Sequence, residues 1–242
     1  PIQRIRDEDG IPVSPARVLR AYMERCFPMS DHRDGKIFWV RPTERAIITW
    51  DSYRIPRTLR RSLKKTTLRF TTDVAFGAVI EACAARHETW ISRDIEQLFR
   101  QLHNIGLAHS VEAWDESGRL VGGIYGLVVG GLFAGESMFH LETGAGKMCI
   151  VALIEHLQSL GFSALDCQQQ SPHMEMFGAQ LIRDDVYSMM VASSTPPGGD
   201  SSSSWIAAAP SAARSRVRPS TPLRLPEKTP SCPHERIQAE VA

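Results

Sequence analysis

The chain of 242 residues predicts an α+β fold, on three observations. Its centre reads as an antiparallel meander of apolar, alternating segments joined by glycine turns. Helical periodicity flanks that meander on both sides. The hydrophobic share, 43%, suffices for one good-sized core plus a small second unit.

From the N-terminus, Ser14-Pro15 supplies an N-cap and a proline at the first helical position, where its fixed φ and missing N–H fit. Val18, Leu19, Tyr22 and Met23 recur at helical spacing, and Phe27-Pro28 stops the helix. Residues 37–50 read as two short strands broken at Pro42. Asp73 is placed to cap a helix over 74–86. Ser92 is placed to cap another over 93–105, with Gly106 just past its end. In the meander, Ser110 to Trp114 alternates and Asp115-Glu-Ser-Gly118 turns the chain. Leu120 to Val129 is a long strand, and Gly130-Gly131 leads into Leu132 to Phe139. The long strand holds Gly122, Gly123 and Gly126, and glycine within a strand marks a bulge or the close approach of another group. Lys147 to Leu160 is an apolar helix stopped by Gly161, and residues 162–167 are a further strand. A short helix near 172–177 and a strand near 179–182 close the folded part. Residues 193–242 are rich in Ser, Pro and Ala. They cannot bury enough surface to offset their ordering entropy, and a disordered tail is expected there.

The net charge is +1, so no global pull toward nucleic acid exists and any basic surface has to come from clustering. Such a cluster is present: Arg54, Arg57, Arg60, Arg61, Lys64, Lys65 and Arg69 follow one another with no acid between them. Displayed together they would bind phosphates; taken alone, such a run is more often a solvated helix face. The five cysteines, Cys26, Cys83, Cys149, Cys167 and Cys232, are odd in number and form no Cys-x-x-Cys pair, which suits a reduced, intracellular protein. No apolar run reaches the roughly 18 residues of a membrane span, and the charged first ten residues lack the apolar core of a signal peptide. The first residue is not Met, so the start is expected to be trimmed or missing. Cytoplasm is the expected location.

Common site motifs fail. Gly144-Ala-Gly146-Lys147 lacks the upstream glycine of a P-loop, and Met148 stands where Ser or Thr is needed. It also lacks the Gln or Arg three residues before Gly144 that acetyl-coenzyme A enzymes usually carry. A plain helix start is the better reading. Cys83 with His87, and Cys167 with His173, find no third and fourth ligand at a recognised spacing, so no metal is expected. Asp166 and Cys167 are strand neighbours and point to opposite faces, so Cys167 reads as an inert buried thiol. Asp166 and Gln168 share a face and can act together. Residue types alone lead to an intracellular α+β protein with a candidate site near 135–168.

Several ordered segments resemble the leucyl/phenylalanyl-tRNA-protein transferase family. They are Ser14 to Tyr22 leading into Phe27-Pro28-Met29, Trp39 to Ile48 with its Trp-x-x-Pro-x-x-Arg-x-x-Ile spacing, Glu88-Thr-Trp-Ile91, and Gly106 to Trp114. Leu120 to Gly126, Gly135-Glu-Ser-Met-Phe139, Leu165-Asp-Cys-Gln168, and His173 with Phe177-Gly-Ala179 complete the set. The resemblance covers roughly 11–190. It implies an acetyltransferase-like mixed sheet with flanking helices over 43–192, preceded by a small N-terminal domain over 1–42; the tail at 193–242 has no counterpart in it. It also implies transfer of Leu or Phe from aminoacyl-tRNA to proteins beginning with Arg or Lys, marking them for degradation. No cofactor and no metal are implied, and a monomer is expected.

The chemistry fits. The ester to the tRNA ribose is already activated, so the task is chiefly to align an amine with the ester carbon. The resemblance assigns Asp166 and Gln168 to catalysis, with Asp166 acting either as the base for the amine or as electrostatic support. Asp166→Ala is expected to lower transfer and leave folding intact. Glu136 is placed to hold the cationic acceptor N-terminus. Ile124, Phe133, Met138 and Leu165 are placed around the Leu or Phe side chain, where methionine adapts to either. Trp90 resembles the aromatic that packs on the terminal adenosine, and Arg57, Arg60, Arg61, Lys64 and Lys65 match the region that meets the acceptor stem. Departures occur at Met29, Thr143 to Lys147, Gln169 to Pro172 and Arg183-Asp-Asp185. The alternatives are an acetyl-coenzyme A-dependent N-acyltransferase and a non-catalytic tRNA- or peptide-binding relative.

Overall fold

A computed structural model describes residues 5–86 and 89–193. His87, Glu88 and the expected tail beyond Ser193, with Trp205 and Cys232, lie outside the described residues. In chain order the elements are α1 (Pro15–Met23), β1 (Phe27–Met29), β2 (Phe38–Val40), β3 (Glu44–Thr49), α2 (Arg57–Leu63), β4 (Arg69–Thr72), α3 (Phe76–Ala84) and α4 (Arg93–Asn104). Then follow β5 (Ala108–Trp114), β6 (Leu120–Val129), β7 (Leu132–His140), α5 (Ala145–Ser159), β8 (Ala164–Gln168), α6 (Pro172–Glu175), β9 (Gln180–Arg183) and α7 (Asp184–Ser193).

Seven strands form one sheet in the order β4-β5-β6-β7-β8-β3-β9, and β1 and β2 pair separately. The meander β5-β6-β7 is antiparallel as expected; β7 and β8 are the parallel pair. Residues 37–50 do form two strands, but they part company: β2 joins β1, whereas β3 inserts between β8 and β9. Helices α5 and α2 bury Ile150, Leu153, Leu157 and Leu59 with Phe133 and Leu165 of the sheet. In a second cluster α1, α3 and α4 bury Val18, Tyr22, Ile80 and Phe99 with Tyr125, Leu127 and Ala134. The fold is a mixed α+β one, a mostly antiparallel sheet flanked by helices. Residues of α1, β1 and β2 share one continuous core with α3, α4 and β6.

Serine caps open α1, α4 and α6. Ser14 and Ser92 each accept a backbone N–H, from Arg17 at 3.3 Å and from Ile95 at 3.3 Å. Asp73 does not cap. Its backbone is left-handed, and its carboxylate accepts from Ser110 N at 2.9 Å and meets His109 Nδ1 at 2.7 Å. Glu112, from β5, takes the N–H groups of Val74 and Ala75 instead. Sequence spacing misses this because the capping group comes from a distant strand. The sequence does not announce the short strand β1, the edge strand β4 or the helix α7 that continues past the strand near 179–182.

The three glycines of β6 are each a close approach. A Cβ on Gly122 would lie 2.9 Å from Ala145 Cβ on α5, and one on Gly123 would lie 2.9 Å from Val79 on α3. Helices from both faces thus sit directly on this strand. At Gly126 a Cβ would fall 2.2 Å from the Ala134 carbonyl oxygen. Gly126→Ala is expected to destabilise by about 1–3 kcal/mol, the usual cost of overpacking. A urea titration checks it, and an unchanged midpoint would show that the β6–β7 ladder has slack there.

Candidate active site

The site starts where the sheet parts. β7 pairs with β8 only over Leu132–Ala134 and Ala164–Asp166, after which β7 runs on beside β6 to His140. The freed stretch of β7 carries a bulge. Tyr125 faces Ser137 while Gly126 faces Gly135, so Glu136 is the extra residue. The consequence is visible in the packing. Ala134 and Phe139, five apart, both belong to the core of α3 and α4, which strict alternation forbids.

A cavity of about 850 Å³ opens at this split. Ile124, Met138 and Leu165 give it an apolar wall, Trp90 lies along it, and Glu136, Asp166 and Cys167 line its end. Seven expected site residues therefore come together or touch one another: Trp90, Ile124, Glu136, Met138, Leu165, Asp166 and, through Glu136, Gln168. Phe133 does not join them. Its side chain is fully buried in the core beneath α5, and its ring packs where Gly126 leaves room.

The polar end is a chain of hydrogen bonds. Asp166 is completely buried and ion-paired with equally buried Arg45 of β3. Tyr187 of α7 donates to the same Asp166 oxygen at 3.0 Å. The other oxygen, Oδ1, accepts the Gln168 backbone N–H at 2.8 Å. That bond holds Gln168 at a left-handed φ of 62°, a conformation costly for a residue with a side chain. A second bulge, with Cys167 as the extra residue opposite Ala46 and Ile47, lies between Asp166 and Gln168. The shared face expected from plain alternation is thus broken. Gln168 Nε2 then donates to Glu136 Oε1 at 2.7 Å, and Tyr22 of α1 donates to that oxygen at 2.7 Å. Glu136 Oε2 is enclosed with no hydrogen-bond partner among the described residues. Burial pushes the Glu136 carboxyl up to about 8, with Tyr22 and Arg45 pulling the other way.

Arg45 also lies over the rings of Phe27 and Tyr187, at 5.5 and 4.8 Å. Arg45, Tyr22 and Tyr187 were not singled out from sequence as site residues. The Trp39-x-x-Pro42-x-x-Arg45 spacing was the available signal for the first; nothing local marks the others. Burial pushes the Cys167 thiol far above its ordinary value, in keeping with an inert group. Among the described residues no group of three or more His, Cys, Asp or Glu could hold a metal ion. Cys83, Cys149 and Cys167 are free thiols.

The basic run lies outside this cavity. Arg57, Arg60, Arg61, Lys64 and Lys65 are exposed on and just after α2, and none makes an ion pair among the described residues. The loop into α2 is tied to the α6 turn, since Arg54 N donates to Phe177 O at 3.0 Å and Arg54 Nη2 to Glu175 O at 2.7 Å. That turn brings Ser171, His173 and Met174 to the cavity.

Residues 47–192 match the family model described as leucyl/phenylalanyl-tRNA protein transferase. The chain belongs to that family. A leucyl/phenylalanyl-tRNA–protein transferase of Chlorobaculum parvum is 44% identical over 71% of this chain and 90% of its own length. The namesake of Rubrobacter xylanophilus is 45% identical over 69% and 87%, and that of Herpetosiphon aurantiacus 42% over 74% and 93%. A solved structure, that of L-PGS from Bacillus licheniformis, overlaps 62% of this chain and 56% of its own with a TM-score of 0.41 and 12% identity. Tyr22 and Arg45 both precede the stretch that the family model covers.

Two expectations follow. Asp166→Ala would strand the buried Arg45 cation, so a loss of about 3–5 kcal/mol is expected rather than an intact fold. Chemical denaturation measures it, and full stability in that variant would show that Arg45 re-pairs. Glu136→Gln should stabilise. The unfolded carboxyl releases its proton near the usual 4.5, whereas the folded one keeps it to about 8. The native state therefore binds more protons across that window, and stability falls as pH rises through it. The variant's gain in thermal midpoint should be small at pH ~5, grow up to pH ~8 and then level off. A gain independent of pH would contradict the raised value.

Proposed function

We propose that the protein transfers Leu or Phe from an aminoacyl-tRNA to the N-terminal Arg or Lys of acceptor proteins, forming a peptide bond that marks them for degradation. Membership of the family supports the reaction class. The observation that carries the reading for this chain is one cavity with an apolar wall facing a buried acid. Ile124, Met138 and Leu165 suit an unbranched apolar donor side chain, and Trp90 offers a face on which the terminal adenosine stacks, worth about 1–3 kcal/mol per base. Glu136 receives the cationic acceptor. Phe133 acts behind this wall rather than in it.

In this reading Asp166 and Gln168 serve as catalytic supports. Both Asp166 oxygens are engaged, which favours electrostatic support over the role of base, and Gln168 carries the effect to Glu136. Residues 1–42 act as a small N-terminal domain docked by a shared core on the acetyltransferase-like catalytic domain, 43–192. Among the described residues no helix is long and apolar enough to cross a membrane. The enzyme works in the cytoplasm, as a monomer, without cofactor or metal. The exposed cations Arg57, Arg60, Arg61, Lys64 and Lys65 meet the acceptor stem.

The direct test incubates the protein with labelled Leu-tRNA and a peptide beginning with Arg. Label is expected in the peptide; its absence, with binding of acetyl-coenzyme A instead, would favour a small-molecule acyltransferase. For the stem contact, Ala at Arg60, Arg61, Lys64 and Lys65 together should flatten the log–log salt dependence of tRNA binding. The slope changes by about 0.9 for each phosphate that is no longer neutralised. Reaction with a short aminoacyl-adenosine analogue should be nearly unchanged. A wild-type slope in the four-Ala variant would place the tRNA elsewhere.

A further inference from the structure

Glu136 and Tyr22 form a contact that the transfer reading does not use. The Tyr22 ring is fully buried in the core of α1, and its hydroxyl donates to Glu136 Oε1 at 2.7 Å across 114 residues of chain. Gln168 donates to that same oxygen at 2.7 Å. Two donors on one oxygen fix the carboxylate's orientation and leave the other, Oε2, enclosed at the cavity's end with no partner among the described residues. A buried acceptor left open is costly to the fold, and such a group points to a ligand that supplies the missing donor.

We propose that Glu136 Oε2 is the proton acceptor for the incoming amine, and that Tyr22 is the positioning residue that turns this oxygen toward the substrate. The proposal rests on the transfer reading above. The acceptor ammonium gives one proton to Oε2 and becomes a free amine. Its nitrogen lone pair forms the C–N bond as the ester C–O bond to the ribose breaks. The second proton passes to the ribose oxygen, which leaves as a hydroxyl, and Glu136 releases its proton to solvent. One ammonium and one ester give one amide, one hydroxyl and one proton.

The groups facing Glu136 set its behaviour. Tyr22 on α1, Arg45 on β3 and Gln168 on β8 stabilise its charged form, while Asp166 on β8 opposes it. Tyr125 on β6 faces it as well, its own ionisation made harder by burial and by Glu136. With the carboxyl held near 8, acceptor and α-amine are matched, since a free N-terminus titrates at about 7.7–8.0. Proton transfer between matched groups is the efficient case.

The test is Tyr22→Phe, which keeps the buried ring and removes the donor. Without that bond the Glu136 carboxylate is harder to form, so the rising limb of kcat/KM for an Arg-started peptide should move to higher pH. At saturating Leu-tRNA the ratio of variant to wild type should be about one-tenth at pH ~7, the deficit that a displacement of one unit gives. The ratio should climb toward one by pH ~9.5. Titration of the peptide's own amine cancels in it. Glu136→Gln should lose about 10²–10⁴-fold at every pH, and Tyr22→Phe added to it should cost nothing more. A ratio that does not vary with pH, or a further loss in the double variant, overturns the proposal. Should Phe at position 22 disturb folding, difluorotyrosine there serves instead. As a stronger donor it is expected to move the limb to lower pH, and an unmoved limb refutes the assignment. A wild-type protein that moves no label overturns the transfer reading and this proposal together, whereas an active one with an unaltered Tyr22→Phe profile overturns only the latter.

Discussion

The ion pair between Arg45 and Asp166 is the constraint on which the site depends. Both side chains are fully withdrawn from water, a placement that desolvation penalises by several kcal/mol per ion. It persists because both Asp166 oxygens and both Arg45 Nη atoms are engaged, while Arg45 Nε has no partner among the described residues. Asp166 accepts from Arg45, Tyr187 and the Gln168 backbone, and Arg45 also lies over the rings of Phe27 and Tyr187. Four segments far apart in sequence, β1, β3, β8 and α7, are thereby fastened at one point. The left-handed backbone at Gln168 is sustained by that point, and the reach of its side chain to Glu136 follows from it.

The cavity has a different origin, in the sheet itself. A parallel pair that runs for three residues and then separates leaves the end of β7 without a partner on one side. The bulge at Glu136 shifts the alternation there, so an acid leaves the register of its apolar neighbours and Met138 takes the wall. Had the strand kept strict period two, Ala134, Glu136 and Met138 would share a face, and the acid would lie against the core of α3 and α4. One extra residue separates the two chemistries that an apolar donor and a cationic acceptor require.

Much of the framework was legible in the sequence because it is local. Ser14 and Ser92 cap as their spacing says, and β6 runs over Leu120–Val129 as its apolar run says. The glycine cluster within that strand announced close packing and delivered it from both faces. What could not be read was long-range. Asp73 has the right position to cap α3, yet Glu112 from another strand occupies the role. β4 is short and half-exposed, and α7 begins with Asp184, which pairs with Arg25 and Arg41, rather than with an evident cap. In the site, Glu136, Asp166 and Gln168 were legible through their resemblance to family segments. Their partners were not, because Tyr22 and Tyr187 announce themselves locally only as core aromatics. Phe133 lies in the core rather than along the cavity, because an apolar residue on β7 has two faces to choose from and the sequence does not show which one faces the cavity.

Two buried glutamates make the functional distinction sharpest. Glu112 and Glu136 both lie within the fold, and burial raises the carboxyl of each. Glu112 uses both oxygens, accepting from Thr71, Ser110 and the two N–H groups that open α3. It is a capping group, with hydrogen-bonding capacity spent on the protein. Among the described residues Glu136 has two donors on one oxygen and none on the other. Stability alone would distribute those donors evenly or replace the acid with an apolar residue. A polar network that crowds one oxygen and leaves its twin open at a cavity is arranged for a donor that the described residues do not supply.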